Sequence, residues 1–248
     1  MFDVVNVPPH HTAQLQAGQS LEWMPTDSKA RYDENLKDPL FVTIAHQNGW
    51  TQYQPITYNI NSQGFRGKDF DTTVKNIVTL GCSFTIGIGL RESETWPYLL
   101  GNKLGLPVHN IAWGGWSTDT LFRMAQYWVP ALEPDLVVML APSATRLELK
   151  IGDHEYPSIT PHDDISNDNY LKHWFANDSN SELNQIKNTL AIEMICKKLN
   201  IRFMCYSQDT EMTGRLAHNP TNVARDNMHC GAKTHNTFVE KILRDLHG

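Results

Sequence analysis

Apolar and polar residues alternate in regular blocks from about residue 74 to the end of the chain. Short apolar runs at residues 76–80, 108–112, 136–141 and 201–206 are typical of strands buried on both faces of a sheet. Longer segments between and after them have the spacing of helices, at residues 92–104, 117–128, 181–199 and 234–246. Strands that alternate with helices predict a parallel sheet with helices on both faces. We therefore expect a three-layer α/β/α sandwich with a mostly parallel, flavodoxin-like sheet.

Two details of these helices can be predicted from single residues. The helix that Ser117 caps is expected to end at Trp128, because a proline at position 130 disfavours helical geometry in the residue before it. The helix at 181–199 has Ser181 as its expected cap, and its large apolar residues fall mainly on one side. That side is predicted to face the core, and it comprises Leu183, Ile186, Leu190, Ile192, Ile195 and Leu199.

Two regions lack this regular pattern. Residues 1–72 are rich in Pro, Gln, Asn and Asp and are expected to form an N-terminal extension packed on the α/β domain of residues 73–248. Asp27-Ser28 is predicted as a turn before a short helix near residues 28–36, and residues 56–61 alternate like an edge strand. Residues 151–180 are expected to be a long surface excursion.

Composition and charge exclude several classes of protein. The chain has 248 residues, 40% of them hydrophobic, and a formal charge of −6 without a basic run, which argues against a nucleic-acid partner. It shows no leader-like start, no apolar run of membrane-spanning length and no CxxC pair, so we expect a cytoplasmic protein with reduced cysteines. The histidines, including His10, His11, His154 and His162, lack metal-ligand spacing such as HExxH, and neither a metal nor another cofactor is expected.

Chemically distinctive residues follow two of the predicted strands and precede the last helix. Ser83 comes directly after the first strand, where a tight turn can expose its hydroxyl. Gly115 follows the second strand, where an unobstructed backbone N–H can act as an oxyanion donor. Asp226 and His229 lie three residues apart, so that the carboxylate can orient the imidazole toward a distant serine. Each of these segments also has a plain structural interpretation, as a strand-to-helix turn, a glycine required by packing, or a polar surface loop.

In this order, the three segments resemble the SGNH (GDSL-like) hydrolase family. The resemblance covers residues 76–246, and the stretches 61–67 and 94–97 also look like segments found in several members. It implies that Ser83 is the nucleophile, His229 the general base and Asp226 its orienting partner. The oxyanion hole would include the backbone N–H groups of Ser83 and Gly115.

The chain departs from the family pattern at two positions. Cys82 stands where an Asp usually precedes the nucleophile, and we interpret this thiol as a small buried hydrophobe rather than as the nucleophile. Ser143 stands where the family normally has an Asn that provides a further oxyanion donor. A serine hydroxyl can replace that donor less rigidly, and Arg146 is a second residue that can reach the same place.

The resemblance implies a serine ester hydrolase that cleaves an acyl ester, such as an O-acetyl ester of a sugar, through an acyl-serine intermediate. Acyl transfer to another alcohol uses the same residues, and a binding or structural module with weakened catalysis is the alternative that Ser143 suggests. Trp113 and Trp116 can stack on a sugar ring or acyl chain, although core packing is the commoner role of such residues. The expected partner is a small-molecule or carbohydrate ester, and the oligomeric state is left open.

Overall fold

The computed structural model describes residues 15–50, 56–150, 157–214 and 221–248. Its elements, in chain order, are β1 (Ser20–Leu21), α1 (Lys29–Asn35), α2 (Pro39–Gln47), β2 (Tyr58–Asn59), β3 (Ile77–Gly81), α3 (Ser83–Ile86), α4 (Trp96–Leu104), β4 (Val108–Ala112), α5 (Thr118–Leu132), β5 (Leu136–Ala141), β6 (Leu147–Glu148), β7 (Ser158–Ile159), α6 (Asn169–Phe175), α7 (Asp178–Lys198), β8 (Arg202–Ser207) and α8 (Ala232–His247). A 3₁₀ turn at Glu92–Glu94 and a π-helical turn at Asp209–Thr213 complete the regular structure of the described residues.

Four parallel strands form the central sheet in the order β4-β3-β5-β8. Gly81 at the end of β3 lies opposite Ala112 at the end of β4, and Leu80 lies opposite Met139 of β5. The carboxyl ends of all four strands therefore meet at one edge. The sheet is flanked by helices, which confirms the predicted flavodoxin-like α/β fold, and this edge is where ligand sites occur in such sheets.

Alternation along the strands divides the core between the two faces of the sheet. Val78 and Leu80 face a cluster that includes buried residues of α5 and α7. Ile77 and Val138 face the opposite cluster, which contains buried residues of α4 and α8. Because successive strand residues point to opposite faces, each strand contributes to both cores.

The residues before β3 share the first of these cores. Phe41 of α2 and the buried Trp50, Tyr58 and Phe65 belong to the same cluster as Val78 and the α5 side chains. The predicted short helix near residues 28–36 is α1, and Ser28 caps it by accepting from Arg31 N–H. The predicted edge strand at residues 56–61 shortens to Tyr58–Asn59, which pairs with β1.

The predicted end of helix α5 is wrong. The helix continues through Pro130 to Leu132. Val129 and Leu132 are both buried in the core, and this packing outweighs the local penalty of a proline in the last turn.

The predicted start and inner face of helix α7 are also wrong. The helix begins at Asp178 with Asn177 as its cap, and Leu183, Ile186 and Leu190 are each more than half exposed. The face toward α5 is instead partly polar, because the amide groups of Asn184 and Asn188 both donate to the Asp119 carboxylate. This hydrogen bonding rotates the apolar side chains outward, and only Ile192 and Cys196 of the apolar residues are fully buried.

Candidate active site

Ser83 is the first residue of the one-turn helix α3 and directly follows the tight turn that ends β3. The turn requires glycine at position 81, since a Cβ there would lie 1.9 Å from Thr85 Oγ1. Ser83 is 7% exposed, and its Oγ lies 3.8 Å from Cys82 Sγ. Because Ser83 is the first residue of α3, its backbone N–H is among those that have no acceptor within the helix. Ser83 thus has both a side-chain hydroxyl and a backbone N–H that is not used within the helix.

Asp226 and His229 form a buried pair in the loop before α8. Asp226 Oδ2 lies 2.6 Å from His229 Nδ1, and Asp226 Oδ1 accepts from the backbone N–H groups of Met228 and His229 at 3.1 Å each. Asn227 between them adopts φ +55°, which turns the chain back on itself. A carboxylate only accepts hydrogen bonds, so Nδ1 is the donating nitrogen, and in the neutral form of the imidazole Nε2 carries the lone pair.

Opposing effects act on the Asp226 carboxyl. Burial alone would raise its pKa, but the hydrogen bond and charge of His229, together with the two backbone donors, outweigh burial and hold the pKa below the usual range. Asp226 is therefore ionised at neutral pH. An ionised, fully hydrogen-bonded carboxylate is suited to fixing the orientation of an imidazole.

The loop that carries Asp226 and His229 packs directly on the chain that follows Ser83. The ring of Phe84, the residue after Ser83, meets the His229 ring edge-on with centroids 4.6 Å apart. Arg225 N–H donates to the carbonyl of Gly89 at 3.0 Å, and a Cβ on Gly89 would lie 2.9 Å from that nitrogen. The structure thus brings the histidine next to the serine turn across 146 residues of sequence.

Gly115 lies in the neighbouring loop, after β4. It adopts φ +83° and has open space where a Cβ would stand. A Cβ on the adjacent Gly114 would lie 3.2 Å from Ile88, so this loop also contacts the chain after Ser83. Trp113 and Trp116 on either side are buried, which favours core packing over ring stacking with a ligand.

Ser143 and Arg146 lie in the third loop, after β5. Ser143 is half-buried, and its hydroxyl is 3.3 Å from that of Thr145. Arg146 Nη1 donates to the Trp116 carbonyl at 3.1 Å, which ties the third loop to the second. The loops after β3, β4 and β5 therefore lie side by side, as the strand order requires.

Sequence reasoning missed the residues that hold this arrangement together. Cys82 donates to Gln208 Oε1 at 2.7 Å, which joins the turn to the end of β8. Arg66 binds carbonyls at the end of α3, and Arg225 pairs with Asp27. The stretch around Arg66 has only its resemblance to a family segment as a signal, and a single buried acid such as Asp27 has no sequence signal of its own.

Within the described residues, no group of three or more His, Cys, Asp or Glu side chains has a geometry that could hold a metal ion. His10, His11 and His154 lie outside the described residues. Among the helices of the same described ranges, none is both long and apolar enough to cross a bilayer.

A second buried histidine lies close to the site and makes stability depend on pH. His235 Nδ1 accepts from Trp96 N–H at 3.0 Å, and burial, with the nearby His229 and Arg66, lowers the pKa of His235 to about 3. An unfolded histidine takes up its proton near a pKa of about 6.5, so the unfolded state binds more protons between these values. The free energy of unfolding is therefore expected to fall as the pH drops from about 6.5 toward 3, by up to about 1.4 kcal/mol per pH unit from this group.

Urea unfolding of wild type and His235→Asn between pH 7 and pH 4 measures this contribution. The asparagine carbonyl can accept from Trp96 N–H without titrating, so the variant should lose stability less steeply than wild type. His46→Asn, at an exposed position of α2, is the control and should keep the wild-type slope. Parallel curves for wild type and His235→Asn would contradict the prediction.

No protein-family model matches this chain, and no curated protein sequence matches it. The solved structures similar to it include a member of the lipolytic protein G-D-S-L family from Veillonella parvula, at 12% identity and a TM-score of 0.36, covering 69% of this chain and 97% of that chain. They also include the esterase EstA from a Pseudoalteromonas species, at 14% identity and a TM-score of 0.37, covering 71% and 100%. A lipase/acylhydrolase from Enterococcus faecalis matches at 16% identity and a TM-score of 0.38, covering 70% and 95%. These structural neighbours are thus a G-D-S-L-family lipolytic protein, an esterase and a lipase/acylhydrolase.

Proposed function

We propose that this protein is a serine ester hydrolase with Ser83 as its nucleophile. The observation that carries the proposal is the buried Asp226–His229 pair, whose imidazole packs against the residue next to Ser83. A carboxylate–imidazole pair beside a serine is the combination that converts a weak hydroxyl nucleophile into a reactive one. Burial of such a pair is costly, so its presence beside the serine turn favours chemistry over surface decoration.

The reaction has two half-steps. Ser83 Oγ attacks the ester carbonyl while His229 Nε2 takes the hydroxyl proton, and that proton then passes to the oxygen of the departing alcohol. Water next attacks the acyl-serine, gives a proton to His229, and releases the acid as Ser83 recovers the proton. Asp226 keeps Nδ1 protonated throughout and stabilises the transient imidazolium.

The negative charge on the carbonyl oxygen needs donors at the same edge of the sheet. The backbone N–H groups of Ser83 and Gly115 start from adjacent strand ends, and no Cβ obstructs Gly115. Ser143 follows the strand on the other side of β3 and is the side chain proposed for the third donor. Removing one such donor typically lowers the rate by about 100- to 1000-fold. If the Ser143 hydroxyl is a weaker donor than an amide, the two backbone N–H groups still stabilise the oxyanion.

The proposed substrate is an acyl ester of a small alcohol or a sugar, cleaved without a cofactor. Arg146 is a half-buried cation of the third loop, held by the Trp116 carbonyl, and it is proposed to lie at the rim of the substrate site. With the two tryptophans buried, the substrate surface is expected to be formed by loop backbone and by side chains such as the partly exposed Met228, next to His229.

Labelling with a fluorophosphonate tests the proposal directly. Wild type is expected to take up one label per chain, and Ser83→Ala to take up none, because the phosphonate bonds to an activated serine oxygen. Ser179→Ala, at an exposed position of α7, is the matched control, since it removes a serine hydroxyl outside the site and should still be labelled. Folded wild type that takes up no label, or Ser83→Ala that is labelled like wild type, would overturn the proposal in favour of a non-catalytic module.

A further inference from the structure

A buried ion pair joins the N-terminal region to the loop that carries Asp226. Arg225 Nε lies 2.9 Å from Asp27 Oδ1 and Arg225 Nη2 lies 2.6 Å from Asp27 Oδ2, a two-pronged geometry between residues 198 positions apart. Asp27 is fully buried and Arg225 is 5% exposed. The guanidinium also donates to the Glu22 carbonyl and stacks over the Trp23 ring at 4.1 Å, so its other face and edge are occupied as well.

The same carboxylate is also tied to the chain that follows Ser83. Tyr58 Oη donates to Asp27 Oδ2 at 2.5 Å and accepts from Gly89 N–H at 2.7 Å. Burial and the Asp27 carboxylate raise the pKa of the Tyr58 phenol, which keeps it a hydroxyl donor at neutral pH. Arg225 N–H in turn donates to the Gly89 carbonyl at 3.0 Å.

These contacts form a closed ring that runs from Asp27 to Tyr58, Gly89, Arg225 and back to Asp27. Gly89 belongs to the loop after Ser83, and Arg225 immediately precedes Asp226. The ring therefore links the loop of the proposed nucleophile to the loop of its acid–base pair through one buried carboxylate. Gly89 takes part in the ring with both of its backbone groups, since its N–H donates to Tyr58 and its carbonyl accepts from Arg225.

We infer that Asp27 is a positioning residue for the proposed reaction and that it fixes the separation of Ser83 from the Asp226–His229 pair. The inference rests on the proposed function. A buried ion pair contributes little net stability compared with apolar side chains of the same volume, whereas it holds one geometry rather than several. Proton transfer from Ser83 to His229 depends on that geometry, because a misplacement of about 1 Å can cost about 100-fold in rate.

The test is Asp27→Asn, which keeps the size of the side chain and removes its charge. We expect kcat for a p-nitrophenyl acyl ester to fall by about 10- to 100-fold while KM stays within about threefold, because the site is misaligned and the substrate surface is unchanged. Fluorophosphonate should still label one serine per chain, at a correspondingly slower rate. Both readouts are taken well below the measured Tm of the variant.

Glu148→Gln is the matched control, because Glu148 forms another buried ion pair among the described residues, with Arg123 at 2.8 Å. It should lower Tm and leave kcat of the folded protein unchanged. Asp27→Asn that behaves in this way, with lower Tm and wild-type kcat, would overturn the inference and leave Asp27 a structural residue only.

Tyr58→Phe keeps the test informative if Asp27→Asn does not fold. It retains the ion pair and the aromatic ring and removes only the hydroxyl between Asp27 and Gly89, so kcat should fall in the same direction by a smaller factor. An unchanged kcat in a folded Tyr58→Phe would count against the ring. Failure of the proposed function itself is seen separately, as wild type that shows no labelling dependent on Ser83.

Discussion

Replacing Asp226 by Asn is expected to lower kcat/KM for an ester substrate by about 10³- to 10⁴-fold while leaving the protein folded. The amide keeps an oxygen that can accept from the backbone N–H groups of Met228 and His229, so the loop has its local hydrogen bonds. The amide NH₂ group then faces His229 Nδ1. In wild type this place is taken by the carboxylate oxygen Oδ2, an acceptor that lies 2.6 Å from Nδ1. Two donors cannot face each other, so the imidazole must carry its proton on Nε2 and can no longer take one from Ser83.

Steady-state kinetics and fluorophosphonate labelling rates measure this effect, with circular dichroism and Tm to establish folding. Asp245→Asn, an exposed acid on α8, is the control and should retain wild-type rates. The reason for the loss can be checked further through pH. If the wrong tautomer is responsible, raising the pH should not restore the rate of the variant. An Asp226→Asn protein within threefold of wild type would remove Asp226 from the mechanism.

The strands could be predicted from sequence because each is a short apolar run buried on both faces. The predicted strand at residues 108–112 matches β4, and the predicted strand at 136–141 matches β5. Parallel order then follows from the helices between the strands. The placement of Ser83 and Gly115 at one edge of the sheet could be predicted for the same reason, since the carboxyl ends of neighbouring parallel strands meet there.

Helix faces and ends could not be predicted as well, because they depend on partners distant in sequence. Asn184 and Asn188 are polar residues that a hydropathy pattern assigns to solvent, yet Asp119 of α5 draws them inward. Pro130 predicts a helix end, and only the burial of Val129 and Leu132 by the rest of the fold explains why α5 continues. Neither the contacts with Asp119 nor the burial of Val129 and Leu132 can be inferred from the local sequence.

The supporting residues of the site were hidden for a similar reason. Asp27 in the sequence is one acid in a turn, and Arg225 is one base beside Asp226. Their pairing depends on contacts between the N-terminal region and the loop before α8, which are distant in sequence. Arg66 has a weak signal, because its stretch resembles a family segment, but no physical reason for that likeness can be found in the local sequence.

The structure provides that reason, since Arg66 holds the carbonyl end of the Ser83 helix. It is 3% exposed, and Nη1 donates to the carbonyls of Ile86 and Gly87 at 2.9 and 2.7 Å. Nη2 donates to the Leu90 carbonyl at 2.7 Å, and the guanidinium lies 4.4 Å from the centre of the Tyr58 ring. Burial lowers the pKa of this arginine and outweighs the opposing effect of Tyr58 and of nearby acids such as Glu92. The last carbonyls of a helix need donors from outside, and one buried guanidinium supplies them here.

Arg66→Met is therefore expected to destabilise the protein by about 2–4 kcal/mol. The buried carbonyls of Ile86 and Leu90 lose their donor at roughly 1–3 kcal/mol each, partly offset by the easier burial of an uncharged side chain, whereas the Gly87 carbonyl still accepts from Leu90 N–H. Urea unfolding at neutral pH measures the change. Arg66→Lys should be intermediate, since an ammonium group can reach only some of these oxygens. Arg202→Met is a matched control, because Arg202 donates to the Leu246 carbonyl at 3.0 Å near the end of α8, but at an exposed position where water can replace it. A loss for Arg66→Met no larger than that of Arg202→Met would mean that water satisfies these carbonyls too, and that the Ser83 helix does not depend on Arg66.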